Sequence, residues 1–499
     1  MKTTKYSKQS GKSKLFFLGL VIFAFVAMVN IYLNPHKEEL DIDAISSSNP
    51  PHASEIIQNN LPIVIIDTNG QQIEGNTERK EVVINGIKRR LVQPSKKYNV
   101  NFKLYEPNFY GYTSIDEKAV PSLESNATIN VRGQSSLKYE KKQYTLRLVD
   151  EGGLKNPQEI LGMSSHDKWV LNGMYSDKSL IRNYLAYKMG RQVMDYSPDT
   201  RFVEVYMKNT DDDLSFEKHF MGVYLLTEKI ERDKNRIDIV KNEGKYKDIS
   251  FIISRDKIKD GDIILRNDWN TLEDDFIVDQ YNTVRSTSVF TTTYPSKNNM
   301  TDMYEKKIVD YINKFEYSLR STKFEDPKIG YKNYIEVDSF LKYAMINEIT
   351  KNIDGGEVST YFYKNIGERM KAGPLWDFDQ SMGNTSVEEV NEPTGFRIVD
   401  VIWFERLFQD ENFADRYKFM YKNYRNTIWN DRNIDKLIDE AILELGPSIE
   451  RNQARWYKRD TIEDYRQEIE ELRSFLKERM GWMDKNIENV KRIKENAVE

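Results

Sequence analysis

Residues 131–148, VRGQSSLKYEKKQYTLRL, read as the end of one strand, a tight turn and the start of a second strand. From Gln143 to Leu148 the side chains of Tyr144, Leu146 and Leu148 alternate with Gln143, Thr145 and Arg147, the period-two mark of a half-buried strand. Working outward, strands are predicted at Leu61 to Ile66, Glu81 to Ile84, Asn101 to Tyr105, Ala127 to Val131, Phe202 to Met207 and Gly222 to Thr227. A helix over Asp177 to Met194 gathers Leu180, Ile181, Tyr184, Leu185 and Met189 on one side. Residues 208–220 read as an exposed loop, and residues 241–300 are polar and poorly periodic, so no order is assigned to them. From Asp302 onward the pattern turns helical: Tyr304, Ile308, Ile312, Phe315 and Leu319 keep three-to-four spacing, and Ile469, Leu472, Phe475, Leu476 and Met483 form a late stripe. Strands first and helices after imply an α+β architecture.

Composition narrows the chemistry. The chain has 499 residues, enough to bury a large core. It contains no cysteine, which excludes disulfides, thiol catalysis and zinc–thiolate sites. Its four histidines, His36, His52, His166 and His219, are scattered and never at metal-ligand spacing. A net charge of −5, built from a dense mixture of both signs, gives no basic patch for nucleic acid.

The amino terminus bears on location. Lys2, Lys5, Lys8, Lys12 and Lys14 precede an apolar run from Leu15 to Leu33. Nineteen residues at ~1.5 Å each reach most of the way across a hydrocarbon core of ~30 Å. Positive charge before the run keeps that end in the cytoplasm and sends the rest outward. Phe25-Val26-Ala27 makes a poor cleavage site, so an uncleaved single-pass anchor is expected, with a secreted or spore-coat location as the alternative. The expected organisation is a basic flank (1–14), a membrane segment (15–33), a linker (34–60), a strand-rich part (61–300) and a helical part (301–499).

The residues that could carry chemistry lie in five places. Trp376-Asp377-Phe378-Asp379 sets two acids one residue apart, and in an extended segment they share a face and suit a hard cation such as Mg²⁺. The alternative is that one of them caps a turn or helix near Gly383. Asp354 follows a helix expected over Asp338 to Thr350 and precedes the strand-like Thr360-Tyr361-Phe362-Tyr363. A carboxylate on such a loop, followed by an acidic pair after the next strand, is the layout of a phosphoryl-transfer site. The turn Arg132-Gly133-Gln134-Ser135-Ser136 offers amides, hydroxyls and a guanidinium to a phosphate, although ordinary turns have the same composition. Lys141 and Lys142 at the head of the next strand, and Glu228 at the end of GVYLLTEKI, have bland readings as a surface pair and a strand-end acid.

Eight segments in order resemble the CotH kinase family, whose name comes from a spore-coat protein. They are LPIVIIDTNG, VRGQSSLKYEKKQYTLRL, DKWVLNGMYSDKSLIRNYLA, RFVEVYM, GVYLLTEKI, NIDGGEVSTYFYK, GPLWDFDQSMGN and a last helix with RMGWMD, spanning roughly residues 61–490. The resemblance implies an atypical protein-kinase-like fold that binds ATP with Mg²⁺ or Mn²⁺ and phosphorylates Ser or Thr of an extracytoplasmic or coat protein. It matches Asp354 to the catalytic aspartate, Asp377 to the metal-binding aspartate and Asp379 to the second acid of that motif. It places Arg132, Ser135, Ser136, Lys141 and Lys142 where the family handles nucleotide phosphates, and Glu228 at the recurring strand-end acid. The chain departs from many relatives in having Gln134 where they have Asn, and Ser359 and Thr360 where they have a downstream Asn. The alternatives are an inactive scaffold of the same fold and a glycosidase using Asp354 with Asp377 or Asp379.

Overall fold

Seven strands close into a barrel, three of them with alternating buried and more exposed side chains and the other four buried along most of their length. In chain order these are β1 (Ile63–Asp67), β2 (Tyr98–Tyr105), β3 (Leu123–Arg132), β4 (Gln143–Val149), β5 (Lys168–Asn172), β6 (Thr200–Lys208) and β7 (Phe220–Glu228). Around the barrel the order is β5-β7-β6-β1-β2-β3-β4, with β4 pairing back onto β5. Neighbours are antiparallel except β6 and β1, which run parallel with Glu204 opposite Ile63. Closure leaves no unpaired edge, and one face of each strand turns inward. Val64, Ile66, Phe102, Leu104, Ile129, Val131, Tyr144, Leu146, Leu148, Trp169, Leu171, Val205 and Leu226 share one buried cluster. This computed structural model describes residues 57–84, 87–116, 119–266, 288–457 and 462–490.

A second sheet has four antiparallel strands in the order β9-β8-β10-β11: β8 (Phe251–Lys257), β9 (Ser288–Tyr294), β10 (Thr360–Lys364) and β11 (Lys371–Ala372). Two of these strands come from residues 241–300, to which the sequence pattern assigned no order. The sheet also joins segments from either side of residue 300, so the strand-rich and helical parts share it.

Seven helices complete the elements that matter here: α1 (Arg182–Val193), α2 (Asp302–Arg320), α3 (Val337–Thr350), α4 (Glu411–Asn426), α5 (Asp431–Leu445), α6 (Ser448–Trp456) and α7 (Ile462–Asn486). α3 is apolar on most of its circumference, with Phe340, Leu341, Tyr343, Ala344, Met345, Ile346 and Ile349 all buried, as befits a helix packed on several sides. Glu336 caps its amino terminus by accepting from the backbone N–H groups of Asp338 and Ser339. α7 buries the predicted stripe of Ile469, Leu472, Phe475, Leu476 and Met483.

Most predicted strands are present with slightly longer bounds. The helix expected from Asp177 begins only at Arg182; the residues before it form turns in which Leu180 takes a positive φ of 65°. The expected linker ends early, because Ile57–Asn59 pairs with Thr113–Ile115. The expected loop at 208–220 contains a short helix, Phe216–His219, with His219 buried. Among the described residues no helix is long and apolar enough to cross a membrane; the segment Leu15 to Leu33 lies outside them.

Candidate active site

One end of the barrel and one end of the second sheet enclose a cleft of about 230 Å³. The barrel side supplies the turn after β3, residues Arg132 to Ser136. Gly133 sits there at φ 100°, and a Cβ on it would lie 1.9 Å from Ser136 Oγ, so the turn needs a glycine. The turn continues as a single 3₁₀ turn over Ser135–Lys138 that buries Leu137. Gln134 Nε2 donates to the carbonyl oxygen of Lys257 at 2.7 Å, tying this turn to the end of β8.

Opposite lies the loop after α3. Lys351 takes a left-handed φ of 45° and ends the helix, and Asp354 follows on a tight turn whose carbonyl accepts from the N–H groups of Glu357 and Val358. Gly356 makes the return possible at φ 82°, with Val401 Cγ2 only 2.6 Å from where a Cβ would stand. The chain then enters β10 and comes back through residues 373–380.

That returning segment is not extended as the period-two reading required. It is irregular, and Asp377 adopts a positive φ of 66°. The acids converge by a different device. Phe378 between them is buried, and its N–H donates to Asn183 Oδ1 at 2.8 Å, which anchors the loop on α1. The N–H of Asp377 donates to Tyr187 Oη, also on α1, at 3.3 Å. Ser359 Oγ donates to Asp377 Oδ2 at 3.1 Å, and Ser176 Oγ donates to Asp379 Oδ2. Burial, with the charge of Asp377 close by, raises the Asp379 carboxyl well above the usual carboxylate range. Two carboxylates forced together in this way are what a cation would relieve.

Asp354, Asp377, Asp379, Arg132, Ser135 and Ser136 all line the cleft. Lys141, Lys142 and Glu228 do not. Lys141 is wholly buried rather than a surface lysine: its Nζ donates to Val223 O at 2.5 Å and to Asn452 Oδ1 at 2.8 Å. Burial alone pulls its pKa well down. Lys142 precedes β4 and donates to the carbonyls of Leu137 and Tyr139, closing the turn from behind. Glu228 is buried against Arg236 at 2.6 Å, with burial raising its pKa against that pairing.

Sequence reasoning missed Asp256, Lys257 and Lys259, which also line the cleft, and Ser176, which holds Asp379. The first three stand on β8 and just beyond it. The only local sign was the apolar run Phe251-Ile252-Ile253 ahead of them. Burial raises the Asp256 carboxyl, with the charge of Lys259 opposing that rise. Among the described residues, no group of three or more His, Cys, Asp or Glu side chains forms a metal cage. Asp377 and Asp379 are a pair, which suits an ion such as Mg²⁺ that uses one or two carboxylates and completes its shell with phosphate oxygens and water.

A search of curated proteins finds no match to the chain. The family model described as CotH kinase protein matches residues 129–483, from within the strand before the Arg132 turn to the last turn of the last long helix. That match covers most of the chain and every residue named around the cleft, and the chain belongs to the CotH kinase family.

Proposed function

We propose that the chain is a protein kinase that moves the γ-phosphate of ATP to a Ser or Thr hydroxyl of an extracytoplasmic or coat protein. The observation that carries this reading is the cleft itself, which sets the carboxylates of Asp354, Asp377 and Asp379 against a guanidinium and a two-serine turn. Asp354 accepts the proton of the incoming hydroxyl, whose oxygen bonds to the γ-phosphorus as the bond to the β,γ-bridging oxygen breaks and ADP leaves. Asp377 and Asp379 would hold Mg²⁺ or Mn²⁺, which neutralises charge on the β- and γ-phosphates when bound. Ser359 orients Asp377 and Ser176 orients Asp379. Arg132, Ser135 and Ser136 face the phosphate tail. The reading extends to the architecture, taken as an atypical protein-kinase-like fold, and to location, with Leu15 to Leu33 as the membrane anchor.

The test incubates the full-length chain with γ-labelled ATP, Mg²⁺ or Mn²⁺, and a Ser-rich acidic protein. Label transfer is expected from the wild type and is lost in Asp354→Ala and Asp377→Ala. No transfer, together with no nucleotide binding at millimolar ATP, overturns the kinase reading in favour of a scaffold. Hydrolysis of wall polysaccharide without nucleotide overturns it in favour of a glycosidase.

A further inference from the structure

A triphosphate entering this cleft meets four carboxylates, those of Asp256, Asp354, Asp377 and Asp379. Among the residues lining it, the cations are Arg132, Lys257 and Lys259. Arg132 is partly engaged, its guanidinium lying 5.0 Å from the centre of the Trp376 ring. The lysines that the resemblance put forward point elsewhere, Lys141 into the protein and Lys142 onto two backbone carbonyls. Lys257 and Lys259 come instead from the end of β8. Lys257 Nζ reaches to 3.3 Å from Ser135 Oγ, so its ammonium already sits on the two-serine turn. Its backbone is fixed there, because its carbonyl accepts from Gln134 and its N–H donates to Asp256 Oδ1 at 2.8 Å. Lys259 is held two residues on by its N–H, which donates to Asp262 Oδ2 at 2.7 Å.

Resting on the nucleotide reading above, we infer that Lys257 and Lys259 grip the phosphate tail of the nucleotide, the office expected of Lys141 and Lys142. The turn after β3 supplies hydroxyls and amides, the end of β8 supplies the charge, and Gln134 keeps the two at a fixed spacing. Lysine suits this task as a compact point charge on a flexible stem that can follow a phosphate into place.

Calorimetry on the full-length chain with Mg²⁺ and either ATP or adenosine separates the outcomes. Lys257→Ala and Lys259→Ala are each expected to weaken ATP binding by about tenfold or more, the scale of one charge-assisted hydrogen bond, and to leave adenosine within about twofold. Lys257→Gln and Lys259→Gln repeat the measurement should an alanine variant fail to fold. Variants that bind ATP like the wild type, or that lose ATP and adenosine alike, overturn the inference while leaving the nucleotide reading in place. A wild type that binds neither compound overturns both.

Discussion

Arg479 of α7 and Glu348 of α3 form an ion pair from which solvent is wholly excluded, six residues before Asp354. Arg479 also donates from Nε to the carbonyl of Glu348 at 3.1 Å and from Nη1 to the carbonyls of Pro393 and Gly395. Glu348 in turn accepts from the N–H groups of Arg397 and Ile398. One pair thus joins the last helix, the helix leading to the candidate catalytic loop, and the segment behind that loop. Removing one partner leaves the other charge buried and unpaired. Arg479→Met is therefore expected to cost about 3–5 kcal/mol, read as a lowered urea midpoint. The double variant Arg479→Met with Glu348→Met should recover part of that loss, and a double variant no more stable than the single would contradict the account.

The acidic pair makes a prediction that needs no substrate. Asp377 and Asp379 repel one another in the absence of a cation, so Asp379→Asn should raise the melting temperature in metal-free buffer. Adding millimolar Mg²⁺ or Mn²⁺ should also raise the melting temperature of the wild type, because mass action adds ~1–3 kcal/mol to its unfolding free energy when the site is well saturated. Asp377→Asn should abolish the cation-dependent rise. A cation effect that survives Asp377→Asn would move the metal elsewhere.

Much of this was legible in the sequence, and the failures have a common cause. Tyr144, Leu146 and Leu148 announced β4 because alternation is a local signal, whereas β5, buried along nearly its whole length, carries no alternation and was not predicted. Asp354 and the Asp377/Asp379 pair, which line one cleft, could be singled out because residue type and short spacing are local signals. What was hidden depends on partners distant in the chain. Lys141 looks like a solvated lysine in Tyr139-Glu140-Lys141-Lys142; its burial depends on Asn452, 311 residues away. β8 pairs with β10 more than a hundred residues on, so its polar end, Asp256 and Lys257, carried no sign of facing a cleft. The conformation of Asp377 was misread, although Gly373-Pro374 before it and Gly383 after it are loop punctuation.

Ser359 stands where many relatives are expected to have a carboxamide, and the structure gives it a task through its 3.1 Å hydrogen bond to Asp377. Ser359→Ala should lower kcat by about tenfold while leaving the KM for ATP nearly unchanged, as expected of a donor that orients one carboxylate. Ser359→Asn should restore much of the loss. Phosphotransfer by Ser359→Ala at the wild-type rate would show that the hydroxyl is incidental.

Lys351 gives a stability signature with a definite sign. Its Nζ donates to the carbonyls of Glu389, Glu392 and Thr394, each at 2.6 Å, so it clasps the segment behind the candidate catalytic loop. Burial, helped by the nearby Arg479 charge, lowers its pKa to about 8 from 10.5. Below pH 8 it is charged in both folded and unfolded chains and the fold bears the cost of burying that charge. Between about 8 and 10.5 the folded chain has released the proton while the unfolded chain still holds it. Stability from this group therefore rises with pH across that window, by something on the order of 1–3 kcal/mol. Subtracting the urea midpoints of Lys351→Met from those of the wild type at pH 7 and pH 10 isolates the effect. A difference that stays flat or falls with pH would reject it.

The turn after β3 offers the sharpest separation of folding from binding. Gly133 has a φ of 100°, where an L side chain is strained, and its missing Cβ leaves room for Ser136 Oγ. Gly133→Ala must displace Ser136 or bend the turn, at a cost of about 1–3 kcal/mol. The barrel core does not depend on that serine, so the variant should still melt cooperatively, a few degrees lower. Binding should suffer more, because Ser135 and Ser136 would no longer present their hydroxyls beside Lys257. ATP affinity is expected to fall by about tenfold or more while adenosine affinity changes little. Equal losses for the two compounds would mean that the turn shapes the whole cleft instead of meeting the phosphates.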